Sequence, residues 1–306
     1  MFDEKKLLTI VLSVLFACFA YAQVQAESPE QNRKLRIIVF GAHPDDCELK
    51  AGGMAAKWAA QGHAVKFVST TNGDIGHATM AGGPLAIRRT AEVHKAAKIL
   101  GITSQVLDIH DGEIMPTLEN RKIFVRLIRE WNADIVIGPR PNDYHPDHRY
   151  TGILMQDAAY MVTVKFYCPD VPNLTKNPVF LYLSDRFQKP APFEPDIVVS
   201  IDDVFEQKVK AIWTLESQIE SLWETGGFEK VVPIPTDEAG RQKRFAKLYA
   251  RMESRDGGIA DRFRANLLNL YGEDKGAEIK TAEAFEICEY GRQPSIDELK
   301  EMFLCK

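Results

Sequence analysis

The sequence predicts an α/β protein built on a doubly wound, mostly parallel sheet, with helices on both faces and a C-terminal extension of helices and strands. Three observations carry this reading. Short β-rich apolar runs recur along the first half, they alternate with helical stretches, and Gly62 and Gly101 stand where such helices should end.

Taken in order, Leu35 to Phe40 is an apolar run closed by Gly41, the pattern of a strand buried on both faces. A helix is expected from about Ala51 to Gln61, then a second strand over Ala64 to Thr70. The loop Asn72-Gly73-Asp74-Ile75-Gly76-His77 leads on to an amphipathic helix over Ala86 to Leu100. A third strand near Gln105 to Ile109, a helix over Leu118 to Trp131 and a fourth strand at Ile135 to Ile137 complete the regular part. Beyond them, Val179 to Leu183 and Ile197 to Ile201 read as strands and Asp203 to Trp223 as one long helix. A loop at Gly226-Gly227, two helices around Arg241 to Met252 and Ile259 to Leu270, and a strand near Ala284 to Ile287 follow.

The N-terminus reads as an export signal. Lys5 and Lys6 precede an uncharged, apolar run from Leu7 to Ala20, and Ala20-Tyr21-Ala22 offers a small-x-small cleavage site. The run is shorter than the roughly 20 residues that span a bilayer, so no integral membrane span is expected after processing. Leu15-Phe16-Ala17-Cys18 resembles a lipoprotein box, although Phe16 stands where a small residue is usual, which leaves a lipid anchor on Cys18 as the alternative to soluble export. The expected organisation is therefore a signal over residues 1–22, a flexible segment over 23–33 and one domain over 34–306, located in the periplasm or outside the cell. The formal net charge of −5, with no Lys/Arg-rich run, argues against a nucleic-acid partner. Cys47, Cys168, Cys288 and Cys305 have neither zinc-ribbon nor disulfide-scaffold spacing.

Two short motifs hold most of the chemistry: His43-Pro44-Asp45-Asp46 after the first strand and His145-Pro146-Asp147-His148 after the fourth. In a sheet of order 3-2-1-4 these strands are neighbours, and the chain leaves them in opposite directions, opening a crevice at their carboxyl ends. Imidazole and carboxylate are donors that Zn²⁺ accepts, and Fe²⁺ or Co²⁺ also suit them. Two His and one Asp would bind the ion with a position open to water, and the remaining carboxylate would serve as base. The remaining His would steady an oxyanion or protonate a leaving group. The residue pattern alone does not say which Asp or which His binds the metal.

At these residues the chain resembles the LmbE/PIG-L family of zinc-dependent N-acetylglucosamine deacetylases. The matching elements are Gly41-Ala42-His43-Pro44-Asp45-Asp46-Cys47-Glu48, Gly52-Gly53, the Arg89, Glu92 and Gly101 helix pattern, Pro141 to His148, and Ala282-Glu283-Ala284-Phe285. The resemblance implies a Rossmann-like fold and hydrolysis of an acetamide on an amino sugar or glycoconjugate. It implies His43, Asp46 and His148 as metal ligands, Asp45 as general base, and His145 as oxyanion stabiliser or acid. Glu48 matches the motif and is expected to anchor its loop. The long, glycine-rich loop from Asn72 to Pro84 departs from the family pattern, and no sugar-recognising motif is evident.

Around the motifs, Arg89, Arg88, His77 and Asn142 are candidates to meet substrate, and Asp143 is a candidate to orient a ligand His by hydrogen bonding. His63, His94 and His110 read as surface or capping residues, Cys47 as packing, and the four tryptophans as buried helix positions. The expected partner is a small molecule or glycan, with oligomeric state left open. Two other functions compete with sugar deacetylation: the same site acting on a non-sugar N-acyl compound, and a glycan- or metal-binding module without turnover.

Overall fold

The computed structural model describes residues 33–223 and 229–304, so the signal segment with Cys18, most of the 23–33 segment, Gly226-Gly227 and Cys305 lie outside the described residues. The larger of two compact units begins at Leu35. The larger unit runs β1 (Arg36–Gly41), α1 (Asp46–Ala60), β2 (Ala64–Ser69), α2 (Gly83–Leu100), β3 (Thr103–Val106), α3 (Leu118–Glu130), β4 (Ile135–Gly138), α4 (Pro146–Met161), β5 (Val179–Leu183) and β6 (Ile197–Ser200). It continues with α5 (Phe205–Trp213), a short α6 (Glu216–Gln218) running into a π-helical turn (Ile219–Trp223), α7 (Glu238–Arg262), α8 (Arg264–Tyr271), α9 (Glu273–Glu278), β7 (Ala282–Ile287) and α10 (Ile296–Phe303).

The strands form one seven-stranded sheet of order β3-β2-β1-β4-β5-β7-β6. The first five in that row are parallel, and β7 runs antiparallel to both β5 and β6. Side-chain alternation sends successive β1 residues to opposite faces. Ile37 and Val39 pack against α1, α2 and α10, whereas Ile38 and Phe40 pack against α3 and α4. Burial on both faces explains why these strands read as continuous apolar runs. Among the described residues no helix is long and apolar enough to cross a membrane, and Cys47, Cys168 and Cys288 are free and buried.

β3 lies about two residues earlier than expected and α10 was not expected; four further differences have an evident physical reason, local or tertiary. The first helix begins at Asp46 rather than near Ala51, because the Asp46 carboxylate accepts the backbone N–H groups of Ala42 and His43 (2.9 Å each) and starts the helix inside the motif. The helix expected over 203–223 breaks at Thr214-Leu215. There the buried Glu92 carboxylate takes the N–H and hydroxyl of Ser217 (3.0 and 2.6 Å), which a continuous helix would not deliver. The two helices expected over 241–270 are joined differently: α7 runs unbroken through Gly257-Gly258, and the break falls at Phe263. Gly257 sits where a Cβ would approach the Lys280 carbonyl, so the glycines serve close packing rather than a turn. α4 is absent from the expected elements, although Pro146 at its first turn and the His145 cap, whose Nδ1 accepts the Asp147 N–H (3.2 Å), are start signals.

Candidate active site

The carboxyl ends of β1 and β4 adjoin, and the two motifs that follow them meet there. A tight turn brings the chain from β1 into α1: a Cβ on Gly41 would lie 2.8 Å from Asp46 Cβ, so only glycine lets the carboxylate fold back over the strand end. His43 Nδ1 and His148 Nε2 are 3.2 Å apart, and Asp46 Oδ2 lies 3.6 and 3.3 Å from them. A tetrahedral ion with bonds of about 2.0–2.2 Å separates its ligand atoms by roughly 3.3–3.6 Å, so the three donors fit one cation.

The far sides of both imidazoles rest on carboxylates. His43 Nε2 is 3.1 Å from Asp111 Oδ1 and 3.2 Å from Asp147 Oδ2, and His148 Nδ1 is 3.0 Å from Asp143 Oδ1. Such partners fix ring orientation and raise ligand basicity at metal sites. Burial opposes protonation of His148, but Asp46 and Asp143 outweigh it and raise its pKa to about 9. His43 is likewise raised well above the usual imidazole range, its burial outweighed by Asp111, Asp147 and Asp46. The cluster therefore calls for positive charge, which a divalent ion would supply as well as two protons do.

Asp45 is buried beside this cluster. Burial first, and the Asp46 charge second, push its pKa up to about 6, against the pull of His43, Arg89 and His148. Asp46 itself is held well below the carboxylate range, because the two imidazoles outweigh its burial. His145 stands edge-on to His43 with ring centroids 4.6 Å apart. Burial, then repulsion from His43 and His148, lower its pKa and keep it neutral. Its Nδ1 accepts the Asp147 N–H, so the neutral ring carries its proton on Nε2. Glu48 is buried, and burial raises its pKa to about 8 against the opposing hydrogen bond to its own amide.

Of the candidates for substrate contact, Arg89 lies next to the cluster. It is 2% exposed among Asp45, Asp111 and Glu92, with Nη2 donating to the Gly76 carbonyl. The glycine-rich loop lies directly on it: a Cβ at Gly73, whose φ is +68°, would come within 2.6 Å of Arg89 Nη1. Arg88 turns away to Glu92 (3.0 Å) and Glu220 (2.5 Å). His77 is buried against the same Glu220 (3.3 Å), while its Nδ1 accepts the N–H groups of Thr79 and Met80. Asn142 is partly buried in the loop leading to Asp143. Asp111, Asp147 and Glu220 were not singled out from the sequence. Asp111 carried one usable signal, its place in the loop after β3, whose carboxyl end faces the same crevice. Asp147 sits inside the second motif, fully buried, and accepts the Gly112 N–H (2.7 Å).

Residues 38–159 match the family described as PIG-L, GlcNAc-PI de-N-acetylase, a span that runs from β1 into α4 and holds both motifs. Over 200 residues the chain is 32% identical to diacetylchitobiose deacetylase of Thermococcus kodakarensis, covering 62% of this chain and 72% of that one. This chain belongs to the PIG-L/LmbE family. Within the PIG-L/LmbE fold it is also similar to N,N'-diacetylchitobiose deacetylase from Pyrococcus horikoshii, with a TM-score of 0.63 at 21% identity over 89% of this chain and 93% of that one. The chain is also 26% identical to 4-oxalmesaconate hydratase of Pseudomonas putida, over 61% of this chain and 75% of that one.

Proposed function

We propose that the protein is an exported, zinc-dependent hydrolase that removes an N-acetyl group from an amino sugar or glycoconjugate. The observation that carries this reading is a buried carboxylate, Asp45, beside three converging donors, with a second imidazole, His145, edge-on to His43 and its pKa lowered. His43, Asp46 and His148 would hold the ion, and Zn²⁺ suits two imidazoles and a carboxylate, as Fe²⁺ and Co²⁺ also do. When bound, such an ion supplies Lewis-acid polarisation of the acetamide carbonyl and lowers the pKa of water.

The chain's own groups do the proton work. Asp45 takes a proton from the attacking water. His145 donates its Nε2–H to the oxygen that gains charge as the carbonyl carbon becomes tetrahedral. Asp45, now protonated, returns its proton to the departing amine nitrogen as the C–N bond breaks. Asp143, Asp111 and Asp147 hold the imidazoles in register during this sequence.

Acetate release from N-acetylglucosamine, diacetylchitobiose and a set of N-acyl amino acids tests the proposal. Metal-dependent acetate from the sugars is expected. Release from the amino acids alone would favour a non-sugar amide, and stoichiometric metal with no hydrolysis would identify a binding module. The similarity to a hydratase sets a further competitor, addition of water to a carbon–carbon double bond, which the same samples would show by loss of 4-oxalmesaconate absorbance. For export, N-terminal analysis of the protein from the cell envelope or medium should find Gln23 first. A lipid-modified Cys18 would identify the anchored form, and an intact Met1 would overturn the export reading.

A further inference from the structure

Next to the metal-ligand cluster stands an aromatic side chain that none of the proton steps uses. Tyr144 is 74% exposed, the kind of exposure that an aromatic ring with no partner at hand does not normally keep in a rigid place. Yet it is held firmly. Arg149 Nη1 donates to the carbonyls of Asp143 and Tyr144 (2.8 and 3.0 Å) and clamps the backbone on both sides of its amide. Its ring meets His148 at 5.6 Å and His145 at 5.8 Å between centroids, both edge-on.

A second ring continues the wall. Phe187, in the segment after β5, lies 6.4 Å from Tyr144 at an interplanar angle of 39°. Its N–H bonds to Asp185 Oδ1 (2.9 Å), and Asp185 forms a buried ion pair with Arg140 (2.9 Å). Arg140 also donates to the Ala191 carbonyl (2.7 Å) and begins the segment that leads to Tyr144. One buried arginine thus anchors both of the stretches that present the rings.

We propose that Tyr144 and Phe187 form a stacking platform for the pyranose ring of the substrate. The inference rests on the amino-sugar reading above and adds to it the residues that select a ring-bearing acetamide. In an N-acetylated amino sugar the amide nitrogen is bonded directly to the ring. When the acetamide reaches His148 and His145, the ring must lie against whatever wall borders those imidazoles, and that wall is Tyr144. The C–H face of a pyranose is apolar and suits an aromatic face, while its equatorial hydroxyls point outward to water. A preformed platform spares the ordering cost that a mobile side chain would impose on binding.

The test pairs kinetics with binding. With N,N'-diacetylchitobiose as substrate, Tyr144→Ala should raise KM about tenfold and change kcat by less than about threefold, Phe187→Ala should raise KM less, and Tyr144→Phe should restore wild-type KM. With N-acetylethanolamine, an acetamide without a ring, Tyr144→Ala should lower kcat/KM by less than about threefold, far less than with the sugar. Saturation-transfer NMR on the catalytically silenced Asp45→Asn protein should show transfer from aromatic protons to the sugar ring C–H protons, lost with Tyr144→Ala. Equal KM for chitobiose in wild type and Tyr144→Ala, or no ring transfer in the parent, would overturn the platform. Ring transfer without any turnover by the wild type would overturn the deacetylase reading and uphold the platform.

Discussion

Replacing Asp45 by Asn should lower kcat by about 10²–10⁴-fold while leaving metal content unchanged, because the variant keeps the three converging donors and loses the proton acceptor. Metal stoichiometry measured beside acetate release checks both halves of that statement. Full turnover at unchanged metal content would remove Asp45 from the role of base. The wild-type pH profile carries the same information. A base must be unprotonated, so activity should fall as pH drops through the Asp45 pKa, which burial and Asp46 raise to about 6. A bound cation favours the carboxylate form, so the acid limb of the metal-loaded enzyme should lie lower. In Asp45→Asn that limb should disappear.

Replacing Lys208 by Met should cost about 3–5 kcal/mol of folding stability, the effect of removing one partner from a buried ion cluster. Lys208 Nζ lies 2.6 Å from Asp256 Oδ2 and 2.9 Å from Glu283 Oε1, and all three side chains are essentially without solvent exposure. The substitution keeps most of the side-chain volume and leaves two carboxylates facing each other in the interior. A shift of the urea midpoint with unchanged slope would report the loss, and adding Asp256→Leu should recover part of it. A midpoint within experimental error of wild type would mean that the cluster is compensated from elsewhere.

How much of this was legible in the sequence follows from where the partners lie. The strands β1, β4 and β5 were readable because parallel strands buried on both faces are apolar without interruption, and the glycine after β1 marks the turn that Asp46 needs. The convergence of the two motifs followed from strand order alone. What escaped depends on contacts across long stretches of chain. Glu220 reaches His77 and Arg88 from a π-helical turn in the second half, and nothing near Glu220 in sequence announces that. Asp111 and Asp147 reach the same His43 nitrogen from separate segments. The break at Thr214-Leu215 answers to Glu92 on another helix, and the run through Gly257-Gly258 answers to the backbone of the chain ahead of β7. Local propensity is silent on both. Of Arg88, Arg89 and His77, only Arg89 lies beside the cluster, and the pairing of Arg88 and His77 with Glu220 was not readable from composition.

Glu283 does more than face Lys208. Its two oxygens accept the N–H groups of Gly53 and Met54 (2.9 and 2.8 Å), across 230 and 229 residues of chain. Those amides lie about two turns into the helix whose first residue is Asp46. One end of α1 therefore carries Asp46 into the cluster with His43 and His148, while the middle of the helix is stitched to β7, the penultimate element of the fold. A nascent chain emerging from its N-terminus thus presents both motifs long before β7 arrives to brace the helix that carries one of them.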